Sequence, residues 1–227
     1  DVERSRGLGD VYKRQSKNLM RKKSNLKQPM KQTSRDGVSL KKLKNNKGNV
    51  IMQETLSHYF GYKSFRPGQE EIITKILNHQ HTLGVLPTGG GKSICYQVPG
   101  LMQGGTTIVI SPLISLMKDQ VDQLQAMGIQ AAYLNSSLTH KQQKEIEEQI
   151  KRGAIQFLYV APERFENTFF LNLLRKIEIP LIAFDEAHCI SKWGHDFRPS
   201  YQSVIQKVFT LPQNFTIVAL TATATAE

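Results

Sequence analysis

Eight consecutive residues constrain this chain more than any others: Leu86-Pro87-Thr88-Gly89-Gly90-Gly91-Lys92-Ser93. They follow the apolar run Leu83-Gly84-Val85-Leu86, which reads as a buried strand, and precede Ile94-Cys95-Tyr96-Gln97-Val98, which can begin a helix. Strand, glycine-rich turn, Lys-Ser and helix, in that order, form the setting of a loop that cradles phosphates. Gly89, Gly90 and Gly91 permit a tight turn that brings several N–H groups onto one anion, and the helix start adds the positive end of its dipole. In such a loop Lys92 reaches the β- and γ-phosphates of a nucleotide, with Thr88 beside it, and Ser93 offers its hydroxyl to magnesium. The strict pattern has glycine where Leu86 stands, so the alternative is a glycine-rich turn with an incidental Lys-Ser.

A formal charge of +11 suggests a nucleic-acid partner until its placement is read. Residues 1–51 carry 15 Lys/Arg and 4 Asp/Glu, whereas residues 52–227 carry 15 of each. The excess therefore says nothing about the second stretch. Residues 1–51 have Leu and Met at no sustained period, too little apolar surface to offset ordering entropy, and are expected to be disordered. They fit either a basic arm that holds phosphates by charge or a solvated tail. A sharper reading is that they are not native. Arg6-Gly7-Leu8-Gly9-Asp10-Val11-Tyr12-Lys13-Arg14-Gln15 resembles a translated adapter, and Lys47-Gly48 is encodable by a ribosome-binding site just ahead of Met52. No run of about twenty apolar residues is present to span a membrane, and the start lacks the apolar segment of a secretory signal. Cys95 and Cys189 lie beside nucleotide-site motifs rather than in a metal or disulfide framework, so a reduced, cytoplasmic compartment is expected.

From Met52 the pattern is that of one folded domain, 52–227. Leu56, Tyr59 and Phe60 form a short helical face that stops at Gly61. Ile72, Ile73, Ile76 and Leu77 share the face of a second helix, opened by Arg66-Pro67-Gly68-Gln69. The amide of Gln69 can pair with an adenine edge, and Tyr62 or Arg66 can stack on the base, although ordinary helix capping would look the same. Further strands are expected at Thr106 to Ile110, Gln130 to Leu134, Ile155 to Val160, Leu181 to Phe184 and Phe215 to Leu220. Between them lie a helix with Leu113, Leu116, Met117, Val121 and Leu124 inward, a charged helix from Thr139 to Lys151 with a capping box at Thr139 and Gln142, and a short helix around Leu171 to Lys176. Strands alternating with helices imply an α/β fold with a parallel sheet covered on both faces and ligands at the carboxyl ends of its strands.

Asp185-Glu186-Ala187-His188 stands at such a strand end. In phosphoryl transfer to water the first carboxylate can hold magnesium and the second can orient or deprotonate the attacking water. His188 either couples the site to moving parts or caps a turn. Beyond it, Cys189 to Tyr201 reads as a loop whose Trp193, His195, Phe197 and Tyr201 can stack on unpaired bases while Lys192 and Arg198 attract phosphates. The alternative is a loop packing its own aromatics. Thr221-Ala222-Thr223 offers small hydroxyls just past a strand end.

In their order these motifs resemble the superfamily 2 helicases, specifically the RecQ family of ATP-dependent DNA helicases, and the resemblance covers essentially all of residues 52–227. Tyr62 to Gln69 is similar to the family's adenine-recognition motif, Pro87 to Ser93 to its phosphate loop, and Ser111-Pro112-Leu113 to an early DNA-contacting motif. Asp185 to His188 matches the DEAH box, and Ser191 to Pro199 resembles the aromatic-rich loop that couples single-stranded DNA to hydrolysis. Thr221 and Thr223 resemble the motif linking hydrolysis to strand separation. The resemblance implies a RecA-like domain using ATP and Mg2+, acting on single-stranded and duplex DNA with a second RecA-like domain, with no membrane role and a nucleoid-associated location in a bacterium. The chain ends at Glu227, so the second domain, with its arginine finger, and the zinc-binding region are expected to be missing. An arginine finger is worth about 10³–10⁵ in rate. The chain alone is therefore expected to bind nucleotide weakly and neither hydrolyse nor unwind well. An RNA helicase of the same superfamily and a nucleotide-gated binding module without motor activity are the rival readings.

Overall fold

The computed structural model describes residues 40–190 and 199–222. Six short strands, β1 (Thr82–Val85), β2 (Thr107–Ile110), β3 (Ala131–Leu134), β4 (Phe157–Val160), β5 (Leu181–Phe184) and β6 (Thr216–Thr221), form one sheet. Their order is β1-β6-β5-β2-β4-β3 and every pairing is parallel. Seven α-helices accompany them among the described residues: α1 (Leu40–Phe60), α2 (Gln69–Leu77), α3 (Lys92–Met102), α4 (Ile114–Ala126), α5 (His140–Lys151), α6 (Thr168–Leu174) and α7 (Pro199–Val208). The parallel α/β architecture expected from the alternation is the one observed. No helix among the described residues is long and apolar enough to cross a membrane.

The sequence of the central strands explains their place. β2, β4 and β5 are buried at every position, which is why they read as apolar runs without polar alternation. Val109, Tyr159, Ala183, Val218 and Leu220 pack with Ile72 and Ile76 of α2, Tyr96 of α3 and Met117, Val121 and Leu124 of α4. Ile108, Ile110, Leu158, Val160, Ile182 and Phe184 pack with Ile150 of α5, Phe170 and Leu174 of α6 and Tyr201, Val204 and Val208 of α7. Met52 and Leu56 of α1 close a third cluster with Ile73, Ile94 and Val98. At the start of α5 the capping box is formed: the Gln142 backbone N–H donates to Thr139 Oγ1 (3.4 Å), and the Thr139 N–H donates to Gln142 Oε1 (2.9 Å).

Four expectations are revised. β1 is an edge strand, not a buried one, with Leu83 67% and Val85 48% exposed, because an apolar run does not reveal how many faces are covered. Leu116 is 46% exposed although the helical period puts it beside Met117 on the inward side. The stretch taken as a loop through Tyr201 gives way to helix α7 at Pro199, and Tyr201 is wholly buried in the core. Finally α1 begins at Leu40, so residues 40–51 of the polar segment, expected to be without structure, are helical.

Candidate active site

The chain leaves β1 into the glycine loop, where Gly90 N–H donates to Pro87 O (2.8 Å), and enters α3 through Gly91, which caps the helix at φ +75°. Lys92 and Ser93 thus occupy its first turn, where unpaired backbone N–H groups and the helix dipole favour an anion. The loop is held from outside by the turn before α2. Gln69, 3% exposed, accepts the Arg66 backbone N–H on Oε1 (2.8 Å) and donates from Nε2 to Gly91 O (2.9 Å) and Gly90 O (3.2 Å). Arg66 Nη1 donates to Gly89 O. A Cβ on Gly91 would lie 2.5 Å from Gln69 Nε2, so the approach of Gln69 requires glycine there. Both amide hydrogens of Gln69 are used on the loop, which leaves a base only a lone pair of Oε1. That role as a loop clamp was not legible in the sequence, where Gln69 and Arg66 pointed to the base or to ordinary helix capping.

A cleft of about 430 Å³ opens beside this loop, lined by Tyr62, Arg66 and Gln69, by Thr88, Gly89, Gly91, Lys92 and Ser93, and by Asp185 and Glu186. Tyr62 is 52% exposed. Ser64, Leu116 and Gln120 also line the cleft and were not anticipated; the signal for Leu116 was an apolar residue that the fold leaves exposed.

The acidic pair follows β5. Asp185 N–H donates to Ile110 O (2.9 Å), and the Tyr201 hydroxyl lies against the carbonyls of Ile110 (2.9 Å) and Asp185 (2.8 Å), so a core tyrosine fixes the strand end that carries the carboxylates. Asp185 is 8% exposed, and burial, then the neighbouring charge of Glu186, pushes its carboxyl up to about 6 despite the opposing pull of Lys92 and His188. Glu186 has φ +53°, a conformation that glycine tolerates and glutamate does not without strain. Its carboxylate lies 3.5 Å from Lys92 Nζ through Oε1 and 3.3 Å from His188 Nδ1 through Oε2. His188 Nδ1 is also 3.2 Å from Thr221 Oγ1. A continuous polar chain therefore joins the phosphate loop, the acidic turn and the end of β6.

A hydrated magnesium ion fits this donor set. Ser93 and Asp185 share the cleft, and magnesium takes one or two protein oxygens with phosphates and water completing its shell. Consistent with so few ligands, no group of three or more His, Cys, Asp or Glu suited to a metal occurs among the described residues. Ser111 is 4% exposed and its Oγ accepts the Leu113 N–H (3.4 Å) in the turn after β2. Lys192, Trp193, His195, Phe197, Arg198 and Thr223 lie outside the described residues.

Comparison with known proteins gives a consistent picture. The pattern of the DEAD/DEAH box helicases matches residues 66–227. The chain is 54% identical over 176 residues to the ATP-dependent DNA helicase RecQ of Bacillus subtilis, covering 77% of this chain and 30% of that protein. It is 53% identical over 169 residues to RecQ of Haemophilus influenzae, covering 74% of this chain and 27% of that protein. The chain thus spans less than a third of the length of these curated relatives. Among solved structures, Mycobacterium smegmatis helicase Lhr bound to ssDNA and AMP-PNP superposes with a TM-score of 0.58 at 16% identity, over 77% of this chain and 24% of that one. The DUF1998 helicase MrfA bound to DNA and AMPPNP does so with a TM-score of 0.59 at 17% identity, over 76% and 26%. At such identity these structures speak to the fold.

Proposed function

The chain belongs to the DEAD/DEAH box helicase family, and on that premise we propose that it is the ATP-binding motor domain of a RecQ-like helicase that moves 3′ to 5′ on single-stranded DNA and unwinds duplexes in recombination and repair. ATP is the substrate: the loop N–H groups and Lys92 take its β- and γ-phosphates, Tyr62 stacks on the adenine, and Gln69 offers the base its remaining acceptor. Ser93 and Asp185 would hold Mg2+, which when bound offsets charge on the phosphates. Glu186 orients the attacking water and takes its proton, kept in place by Lys92 and His188. His188 passes a change at Glu186 to Thr221 and β6, and the segment 191–198 is the place where single-stranded DNA is felt. The cytoplasm, at the nucleoid, is where such a protein acts.

The observation that supports this reading most is the unbroken contact series Lys92, Glu186, His188, Thr221, which leads from two residues that line the cleft to the end of β6. Among the described residues Arg66 is the one arginine lining that cleft, and it is engaged with Gly89 O. In this reading the transition-state arginine is supplied by a second RecA-like domain, and this chain alone turns over slowly.

ATPase measured with and without single-stranded DNA, for this chain alone and mixed with a separately made second motor domain of a RecQ relative, tests the proposal. DNA-stimulated turnover in the mixture only, abolished by Glu186→Gln, is expected. Nucleotide binding with no turnover in either case would point instead to a nucleotide-gated binding module.

A further inference from the structure

A polar network is buried where the fold has no evident need of one. Tyr96 of α3 and Tyr159 of β4 are wholly enclosed in the apolar cluster between sheet and helices, and Gln97 is 7% exposed beside them. Burying hydroxyls and an amide in such a place is costly unless each finds a partner. They form a series: Gln97 Nε2 donates to Tyr159 Oη (3.2 Å), Tyr159 Oη lies 3.3 Å from Tyr96 Oη, and the Tyr96 hydroxyl donates to Gln120 Oε1 (3.4 Å). Each phenol has one proton, and Tyr96 directs its own to Gln120, so Tyr159 donates to Tyr96 and the series runs one way. The two oxygen–oxygen spacings are long for hydrogen bonds, which leaves the terminal amide room to adjust.

The series ends at the cleft. Gln120, on α4, lines it together with Ser93, Asp185 and Glu186. With Oε1 turned inward to Tyr96, its Nε2 is the atom left for the cleft, and it has no acceptor among the described residues. The network sits at the end of the cleft that holds Ser93 and Asp185, since the Tyr96 hydroxyl is in side-chain hydrogen-bond contact with Ser93 and feels the charge of Asp185. Every other side chain placed on the phosphates comes from the loop or the acidic turn.

We propose that Gln120 is a further binding residue of the ATP site, donating from Nε2 to an oxygen of the terminal phosphates, and that Tyr96 is a positioning residue that fixes which end of its amide faces them. The inference rests on the nucleotide-site reading above. An amide suits this place: it offers N–H groups to a polyanion without adding a second cation beside Lys92.

The full chain titrated with a fluorescent ATP analogue in magnesium buffer tests it, comparing wild type, Gln120→Leu, Gln120→Glu and Tyr96→Phe. Gln120→Glu keeps an acceptor for Tyr96 but sets a carboxylate against the phosphates, so affinity should fall at least tenfold, below that of Gln120→Leu. Tyr96→Phe should weaken binding two- to fivefold with the melting temperature near that of wild type. If Gln120→Glu binds as wild type does while Gln120→Leu is impaired, the amide merely satisfies Tyr96 and the proposal is overturned. Equal affinity for all four proteins overturns it too. No binding by wild type would overturn the nucleotide-site reading itself, and this inference with it.

Discussion

Asp185 and Glu186 are adjacent in sequence and opposite in circumstance. Asp185 is buried with its carboxyl raised to about 6, while Glu186 is held between Lys92 and His188 in a strained backbone conformation. A carboxyl raised from 3.8 to about 6 binds protons more tightly in the folded chain than in the unfolded one. Its contribution to stability is therefore fully present below pH ~3.8 and is lost as pH rises through about 6. The shift corresponds to about 3 kcal/mol. Asp185→Asn, which keeps the shape and cannot ionise, should stabilise the metal-free protein by roughly 2–3 kcal/mol near neutral pH and by little near pH ~4. Urea unfolding in EDTA at the two pH values checks this; a gain of equal size at both would refute the assignment. The residue types of this pair were legible in the sequence, whereas the burial that separates their roles was not.

At the scale of elements, the turn before α2 and the glycine loop before α3 act as one unit. Gly91→Ala would place a methyl group against Gln69 Nε2 and force a residue with a side chain to φ +75°, so it should weaken ATP binding at least tenfold. The strained residue should cost roughly 1–3 kcal/mol of stability, read by chemical unfolding. By contrast, α5 is a helix whose start was readable without the fold: Thr139→Ala removes one half of its capping box and should cost ~1 kcal/mol, a drop of about 2–4 °C in melting temperature, with ATP affinity unchanged. Capping is local in sequence, so pattern alone finds it. The clamp joins residues 22 apart from Gln69 to Gly91 and 23 apart from Arg66 to Gly89, and such contacts leave no periodic trace.

For the molecule as a whole, ligand binding should be visible as stability. At a nucleotide concentration 100 times the dissociation constant, binding adds about 2.7 kcal/mol. For a domain of this size that raises the melting temperature by roughly 5–11 °C. Magnesium-ATP should produce such a rise in thermal scans and Lys92→Ala should abolish it; an equal rise in the variant would place the nucleotide elsewhere.

The sequence by itself determined the parallel α/β class, the strand-loop-helix at Lys92 and the acidic turn at Asp185, because each depends on periodicity or on residue types a few positions apart. Tertiary structure alone decided that β1 lies at the sheet edge, that Tyr201 is a core residue bracing the Asp185 turn, that Gln69 clamps the glycine loop, and that Gln120 lines the cleft beside it. Strand order is chosen by packing among all the elements together, and a side chain's neighbours across that packing are fixed only when the chain has closed on itself.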